Sequence, residues 1–324
     1  MADKVKTIGV LTSGGDAPGM NAAVRAVVRS AIYRGIRVLG IRRGFSGLIN
    51  NDIYEMNLRS VSEILHRGGT VLYTARCLEF KEEAGIEKGK RTCFEHDIDG
   101  LVVIGGDGSF RGARDLSLKG IPCVGIPGTI DNDIASSDYT IGFDTAVNTV
   151  VEAVDRLRDT SQSHDRCTVV EVMGRRAGHI ALEAGIACGA IAVLVPEIKF
   201  DLEKDVIEKM RVTIKTGKKH FIIIVAEGVG NSEEIGKKIQ EITGIETRTT
   251  ILGHVQRGGT PSARERVIAS RMGVHAVELL EKGIGNRVVV MKDNKIVDFD
   301  ILEALQMQKS IDMDLYNIIN QISV

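Results

Sequence analysis

A short loop rich in polar side chains follows one apolar run of the sequence. The run from Pro122 to Ile126 is typical of a buried strand, and the Pro127-Gly128 turn ends it. The turn is followed by one hydroxyl, two carboxylates and one amide: Thr129, Asp131, Asp133 and Asn132. Ligands of open parallel sheets bind outside the carboxyl ends of the strands, so this loop would face a substrate. The alternative is an ordinary turn whose side chains cap their own backbone.

Two glycine loops, each between a predicted strand and a predicted helix, could bind phosphate. One contains Gly14-Gly15-Asp16, and the other is Gly105 to Ser109, with Gly106, Asp107 and Gly108 between. Glycine lets a backbone approach a phosphate closely, and the first N–H groups of a helix face the anion. Neither loop matches a P-loop or a dinucleotide fingerprint, and glycine turns after strands are common. Asp107 is a natural ligand for Mg²⁺, which prefers one or two carboxylates together with phosphate oxygens.

Two sets of basic residues could bind further anions. Five arginines lie in predicted loops or at strand ends, and each presents a planar donor fork that suits phosphate: Arg76, Arg166, Arg175, Arg248 and Arg257. His254 stands three residues before the last of them. A second group is formed by Arg25 and Arg29, four residues apart on one helix face, with Arg59, Arg158 and Lys218. A solvated side chain is the alternative for each of these residues.

The chemistry consistent with these residues is phosphoryl transfer to a hydroxyl. That reaction needs metal-bridged phosphates, cations near the transferred group and a carboxylate that accepts the hydroxyl proton. Asp131 is the candidate base, and Asp107 with Mg²⁺ would stabilise the phosphate charge.

The elements that must position these loops alternate between strands and helices. This alternation predicts a parallel sheet with helices on both faces. The predicted strands are 7–12, 37–41, 100–104, 122–126, 168–173, 190–196 and 220–226, with a hairpin of 287–292 and 295–299. The predicted helices are 21–34, 58–67, 110–118, 146–159, 178–189, 202–217 and 262–280.

Composition narrows the class of protein. The 324 residues are 43% hydrophobic and 26% charged, which is typical of a globular chain of about two domains. A net charge of −1 without Lys/Arg blocks argues against nucleic acid and membrane partners. The sequence predicts no signal peptide or membrane segment, and therefore a cytoplasmic location. The five cysteines have no C-x-x-C pair, so reduced thiols are expected.

Five motifs, taken together and in order, resemble the bacterial ATP-dependent 6-phosphofructokinases over essentially the full length. They are LTSGGDAPGMNAAVR (11–25), IGGDGS (104–109), PGTIDNDI (127–134), EVMGRRAGH (171–179) and LGHVQRGGTP (252–261). NAD kinases and lipid kinases carry a string like GGDG, but not the TIDND, MGR and HVQRGG motifs. The resemblance implies two three-layer α/β/α sandwich domains with mainly parallel sheets and the active site in the cleft between them.

The resemblance also implies the reaction and its residues. The γ-phosphoryl group of ATP would pass to the 1-hydroxyl of fructose 6-phosphate, in the committed step of glycolysis. The implied catalytic residues are Asp131 as base, Thr129, Asp133, Arg175 and Arg76. The implied nucleotide site has Gly15, Arg76, Cys77, Gly106, Asp107, Gly108 and Ser109, with Asp107 as the Mg²⁺ ligand. The implied sugar-phosphate site has Thr129, Ile130, Asp131, Met173, Gly174, Arg175, Glu227, His254, Val255, Gln256 and Arg257, with Arg166 and Arg248 reaching across from a neighbouring subunit of a homotetramer.

Two glycines bear on the phosphoryl donor. Pyrophosphate-dependent relatives carry an Asp after GGD and a Lys before TIDND, and this chain has Gly108 and Gly128 there. Gly108 leaves room for the α-phosphate of a nucleotide, which favours ATP. A pyrophosphate-dependent or other sugar-phosphate kinase and a non-catalytic effector-binding homologue are the alternatives.

The family's allosteric site is matched with one departure. The implied residues for ADP or phosphoenolpyruvate are Arg25, Arg29, Arg59, Arg158, Lys218, Lys219 and His220. A glutamate of the family that helps hold Mg-ADP is replaced by Ile191, so activation by Mg-ADP is expected to be weak or absent. The implied domains are 1–138 with 256–305, which would bind the nucleotide, and 139–255 with 306–324, which would bind the sugar phosphate.

Overall fold

The chain, described here for residues 5–323 of a computed structural model, folds into two compact units. The first contains residues 5–130, Ile134–Thr145 and Arg257–Lys309, and the second contains Asp131–Asp133, Ala146–Gln256 and residues 310–323. The domain limits expected from the family resemblance remain a prediction.

The first unit is built on a seven-stranded sheet whose order is β11-β10-β5-β4-β1-β2-β3. Strands β10, β5, β4, β1 and β2 run parallel, and the edge strands β3 and β11 are antiparallel to their neighbours. The strands are β1 (Thr7–Ser13), β2 (Arg37–Ile41), β3 (Ile53–Met56), β4 (Gly100–Gly105), β5 (Cys123–Pro127), β10 (Arg287–Lys292) and β11 (Lys295–Asp300).

Helices cover both faces of this sheet, because the central strands are apolar on both sides. In β4, Leu101 and Val103 face one core cluster, and Val102 and Ile104 alternate onto the other face. The helices are α1 (Met20–Tyr33), α2 (Gly44–Ile49), α3 (Glu83–Glu95), α4 (Asp107–Leu118), α9 (Ala263–Glu281) and α10 (Ile301–Gln306). Helices α1 and α9 pack together closely, since a side chain at Gly273 would overlap Ala26.

The second unit repeats the layered arrangement around a four-stranded parallel sheet with the order β7-β8-β6-β9. Its strands are β6 (Cys167–Val172), β7 (Ala192–Leu194), β8 (Phe221–Ala226) and β9 (Thr247–Ile251). Its helices are α6 (His179–Ala187), α7 (Glu208–Lys215), α8 (Ser232–Thr243) and α11 (Met313–Ile322), and α5 (Phe143–Ser163) runs through the boundary at residue 145. The predicted α/β class with mainly parallel sheets is confirmed.

The predicted helix 58–67 is wrong. The segment forms successive turns, in which Ser60 N donates to Asn57 O and Ser62 N donates to Arg59 O. Glu63 has a left-handed φ of 56°, which interrupts a helix. The prediction for 202–217 merged a π-helical turn, Glu203–Ile207, with α7.

Several short or polar elements were missed altogether. They are α2, β3, α3, α8, β9, α10 and α11. Two observations agree with the composition: all five cysteines are free, and no helix in the described part of the chain is long and apolar enough to cross a membrane.

The core of the first unit offers a direct stability test. Phe110 is 2% exposed and its ring lies against Gly125, whereas Phe94 of α3 is 62% exposed. We expect Phe110→Ala to lower the free energy of unfolding by about 3–5 kcal/mol, because it leaves a cavity. Phe94→Ala is the matched control and should change it by less than about 0.5 kcal/mol. Urea denaturation followed by circular dichroism measures both, and equal effects would contradict the assignment of this core.

Candidate active site

Three loops with candidate chemistry begin side by side in the first unit. In the register of the parallel strands, Ser13 of β1 pairs with Gly105 of β4, and Gly105 pairs with Pro127 of β5. The loops are also bonded to one another, because Ser109 Oγ donates to Ser13 O at 3.0 Å and Gly128 N donates to Gly105 O at 3.0 Å. The sheet thus brings the two glycine loops and the start of the 127–133 loop together.

Close approach of these loops requires glycine at position 105. A side chain there would overlap Ser109 Oγ and the carbonyl oxygen of Ser13. Helix α4 begins two residues later, at Asp107, so its first N–H groups open onto the same loop. Backbone N–H groups at a helix start are suited to phosphate oxygens.

Asp107 stands at this helix start with an exposed carboxylate. Its Oδ2 accepts a hydrogen bond from Arg111 Nε at 2.9 Å, and no atom lies within 4 Å of where a β-carbon at Gly108 would be. In residues 5–323 no group of three or more His, Cys, Asp or Glu side chains could hold a metal ion. One exposed carboxylate beside open space fits Mg²⁺ held jointly with nucleotide phosphates, as this ion prefers.

The segment that carries Arg76 and Cys77 is fixed by polar residues that sequence reasoning missed. Asn21, 1% exposed, donates through Nδ2 to Arg67 O at 3.1 Å and accepts from Val71 N at 2.8 Å. Thr12 Oγ1 donates to Tyr73 O, and Thr74 Oγ1 donates to Gly14 O, both at 2.8 Å. In the sequence, the only sign of this role is that Thr12 and Asn21 are polar residues within otherwise apolar elements.

Beyond this segment, Arg76 itself is exposed and Cys77 is half-buried against the apolar core. Both predicted nucleotide residues therefore follow a stretch that is tied to the end of β1. Their contacts with a nucleotide stay a prediction.

Arg257 lies beside the first glycine loop. Its guanidinium is so near Gly15 that a side chain at Gly15 would overlap Arg257 Nη1. Arg257 Nε is buried and has no hydrogen-bond partner in the described part of the chain. The structure thus brings together one residue predicted for the nucleotide and one predicted for the sugar phosphate.

The 127–130 loop is held along its backbone by the segment 139–142. Thr129 N donates to Ile141 O at 3.0 Å, and Ile141 N donates to Pro127 O at 2.8 Å. Thr140 Oγ1 donates to Thr129 O at 2.6 Å. Gly128 is tightly packed, since a side chain there would press on Met20.

In the second unit, Asp131 forms an ion pair with Arg175. Arg175 Nε lies 3.2 Å from Asp131 Oδ2, and the Asp131 side chain is 2% exposed whereas that of Arg175 is 54% exposed. Asn132 and Arg175 both have left-handed backbones, with φ of 50° and 55°. Such conformations concentrate at functional sites because the surrounding structure must hold them.

Two side chains hold the turn Met173–Gly174–Arg175 in place. Glu227, just after β8, accepts from Arg175 N at 2.5 Å and from Gly174 N at 3.3 Å. Gln256 is fully buried, accepts from Met173 N at 3.3 Å and donates to Gly253 O at 3.1 Å. His254 and Val255 are exposed on the 3₁₀ helix Gly253–Arg257, which also contains Gln256. A direct contact of Gln256 with substrate stays a prediction.

Arg166 and Arg248 lie together, but away from Arg175 of the same chain. Glu246 forms ion pairs with both, 2.8 Å from Arg166 Nε and 2.6 Å from Arg248 Nη2. The contacts with the two arginines lower the pKa of the Glu246 carboxyl, and the contact with Arg166 has the larger effect. Arg166 precedes β6 and Arg175 follows it, so the length of this strand separates them.

The predicted allosteric residues are divided between the two units. In the first unit, Arg25, Arg29 and Arg59 make no ion pair with any residue of 5–323. In the second unit, burial and the nearby Arg158 lower the pKa of Lys218, and burial with Lys218 lowers the pKa of His220. Burial is the larger cause of both shifts, and the nearby positive charges of this group add to it.

Lys219, a further predicted residue of this group, and Ile191 have different surroundings from Lys218 and His220. Lys219 lies 3.9 Å from Asp165, and Ile191 is 1% exposed within the apolar core. The side chain at position 191 therefore contributes packing.

Comparisons with known proteins give the family. The Phosphofructokinase family model matches residues 7–280. The chain is 58% identical over 320 residues to an ATP-dependent 6-phosphofructokinase of Bacillus cytotoxicus, covering 99% of this chain and 100% of that protein. Two solved structures are similar. Phosphofructokinase from Pichia pastoris in the T-state has a TM-score of 0.88 and 34% identity, over 100% of this chain and 40% of that one. Phosphofructokinase from Saccharomyces cerevisiae has a TM-score of 0.87 and 35% identity, over 93% of this chain and 45% of that one. The chain therefore belongs to the phosphofructokinase family.

Proposed function

We propose that this protein transfers the γ-phosphoryl group of ATP to the 1-hydroxyl of fructose 6-phosphate, giving fructose 1,6-bisphosphate and ADP. This is the committed step of glycolysis. The observation that carries the proposal is the buried carboxylate of Asp131 in the TIDND loop. Its Oδ2 lies 3.2 Å from Arg175 Nε. The Bacillus cytotoxicus relative, named ATP-dependent 6-phosphofructokinase, supports the same reaction.

Asp131 acts as the general base. Its burial and its ion pair with Arg175 hold the carboxylate in one place, where it can accept the proton of the sugar hydroxyl as phosphorus is attacked. Arg175 is half-exposed, so the rest of its guanidinium can stabilise charge on the transferred group together with Arg76. Thr129 and Asp133 flank the base in the same loop.

The first unit supplies the nucleotide-binding groups. Gly15, Gly106, Gly108 and the start of α4 offer backbone N–H groups to the phosphates, and Ser109 fixes the loop through Ser13. Asp107 would hold Mg²⁺. When bound, the ion would neutralise negative charge on the nucleotide phosphates.

The sugar phosphate binds to residues of the 173–175 turn and its neighbours. The assigned residues are Ile130, Met173, Gly174, Glu227, His254, Val255, Gln256 and Arg257. Arg166 and Arg248 complete the phosphate site of a neighbouring subunit in the homotetramer that the family resemblance implies. The support from this chain is that β6 separates them from Arg175.

Gly108 is the better indicator of the phosphoryl donor. The space around Gly108 is open, so packing does not require glycine there. Gly128 has a structural reason to be glycine, because a side chain would press on Met20 at 2.9 Å. The absence of a carboxylate at 108 is therefore the feature that favours ATP.

The two basic groups bind a phosphorylated effector, ADP or phosphoenolpyruvate. Arg25, Arg29 and Arg59 belong to one group, and Arg158, Lys218, Lys219 and His220 belong to the other. A glycolytic kinase of this kind acts in the cytoplasm, and the nucleotide and sugar-phosphate domains follow the family's limits at 138/139, 255/256 and 305/306.

The role of Asp131 is tested by Asp131→Asn. We expect kcat to fall by about 10²–10⁴-fold, since an amide of the same shape cannot accept the proton. Asp138→Asn is the control, because Asp138 is an exposed partner of Lys292 in the same region and should leave kcat unchanged. Steady-state assays with Mg-ATP and fructose 6-phosphate measure both. A fully active Asp131→Asn enzyme would mean that Asp131 is a structural loop carboxylate.

The donor assignment is tested by Gly108→Asp with Gly108→Ala as the matched control. Both side chains fit the open space, so both variants should fold. The carboxylate would face a nucleotide phosphate, and we expect the KM for ATP to rise by about a hundredfold, with the Ala variant within about threefold of wild type. Wild-type activity with Mg-pyrophosphate equal to that with Mg-ATP would refute the assignment.

The departure at Ile191 predicts altered allosteric control. Because Ile191 is buried in the core and cannot ligate a metal, Mg-ADP should activate less than about twofold at subsaturating fructose 6-phosphate. Phosphoenolpyruvate should still act through the basic residues, and Lys218→Ala should remove its effect. Strong activation by Mg-ADP would contradict the prediction.

A further inference from the structure

Glu265 is a buried carboxylate that the reaction described above does not use. It is the third residue of α9 and is 0% exposed. Burial raises the pKa of Glu265 to about 7, although hydrogen bonds to its oxygens oppose the shift. A buried carboxylate is unfavourable unless its environment supplies donors, so its partners are informative.

From the sequence alone, Glu265 would be assigned to the N-terminal cap of its own helix, α9. Ser262 is the N-cap of α9, and Ser-x-x-Glu is the capping-box pattern, in which the Glu accepts from the N-cap N–H. The structure keeps only half of that pattern. Ser262 Oγ accepts from Glu265 N at 3.1 Å, but Ser262 N donates to Thr145 Oγ1 at 3.2 Å. The Glu265 carboxylate is thereby directed away from its own helix.

The partners of this carboxylate all lie in the segment 139–145. Tyr139 Oη donates to Oε1 at 2.7 Å. Thr145 donates to Oε2 twice, from its N at 3.2 Å and from its Oγ1 at 3.1 Å, and the backbone N–H of Gly142 is a further donor. One side chain therefore bonds both ends and the middle of the segment.

This segment holds the 127–133 loop, called the catalytic loop here because it carries Asp131. Ile141 exchanges two backbone hydrogen bonds with Pro127 and Thr129, and Thr140 Oγ1 donates to Thr129 O. Asp131 follows two residues after Thr129 in the chain. The contacts thus run from Glu265 through the segment 139–145 to the residues that lead directly into the base.

Glu265 also meets the first glycine loop. Gly19 has a φ of 98°, and a side chain there would overlap both Glu265 Cγ and Ile141 Cγ2. Gly19 of the first glycine loop, segment 139–145 and the start of α9 therefore meet at this one side chain.

We propose that Glu265 is a positioning residue for phosphoryl transfer, which fixes segment 139–145 and, through it, the placement of Thr129 and Asp131. The proposal rests on the proposed function. An ionised carboxylate only accepts, so it can satisfy all four donors. A protonated carboxyl carries an O–H on one oxygen, which weakens or reverses the hydrogen bonds at that oxygen. Tyr139 is the titratable partner of Glu265, and Asp144 and Arg264 are the charged groups that act in turn on Tyr139.

The kinetic test compares Glu265→Gln with wild type as a function of pH. The Gln side chain has one acceptor atom, so it holds the segment poorly at every pH. We expect kcat to be lower by about ten- to a hundredfold near pH 8.5, with KM values within about twofold, and the difference to shrink below the pKa of Glu265. A reduction by the same factor at all pH values would overturn the proposal, because it would reflect a structural role only.

The matched control is Glu281→Gln in the same helix. Glu281 pairs with Arg34 at 3.0 Å, is partly exposed and should leave both kcat and its pH profile unchanged. A second variant, Tyr139→Phe, covers the case in which Glu265→Gln does not fold. It removes a bond that lowers the pKa of Glu265, so the acid limb of the kcat profile should move to higher pH. An acid limb identical to that of wild type would overturn the proposal.

Hydrogen exchange separates this proposal from the proposed function. Peptides that cover 127–145 should exchange faster in Glu265→Gln than in wild type and in Glu281→Gln, because the bonds of Thr129 N and Ile141 N are weakened. Unchanged exchange would overturn the positioning role even if the enzyme phosphorylates fructose 6-phosphate. Faster exchange in a protein that has no such activity would support the positioning role and refute only the reaction.

Discussion

The register of three parallel strands is the constraint on which the first half of the site depends. Ser13, Gly105 and Pro127 are paired across β1, β4 and β5, so the chain leaves the sheet at three adjacent points. The loops that follow can then share hydrogen bonds, and glycine at 105 is needed because no side chain fits between them. Shifting one strand by a residue would turn its core side chains to the other face, so packing on both faces fixes this register. The positions of the loops at the strand ends therefore depend on apolar packing within the sheet.

Much of this arrangement could be predicted, because central parallel strands are continuous apolar runs bounded by glycine. The strands at the edges of the sheets could not be predicted in this way. Strand β3 has only four residues, and β9, Thr247–Ile251, is partly exposed and polar, so neither shows a buried run. The segment 58–67 has apolar residues at helical spacing, yet Val61 and Ile64 are buried by successive turns with Glu63 left-handed. Tertiary packing there overrides local helix propensity.

The candidate site likewise contains some residues that the sequence identifies and others that it does not. The loops that hold Asp107, Asp131 and Arg175 carry distinctive residues, and the sequence locates them. The groups that position those residues are not distinctive. Asn21 lies within an apolar helix, and Glu265 looks like part of a helix cap until the structure shows its carboxylate bonded to Tyr139 and Thr145. Such roles depend on which segments meet in space, and a single sequence contains no record of that.

Positions 108 and 128 have different surroundings, and this difference bears on how the phosphoryl donor could change during evolution. A side chain at 108 enters open space, whereas one at 128 meets Met20 and Ile104. A substitution at 108 is therefore compatible with the present core, whereas one at 128 also displaces the end of the Met20 side chain. Lineages that exchange one donor for another would pass through position 108 before position 128. Packing beneath the loop, rather than the chemistry above it, would set the order of the mutations.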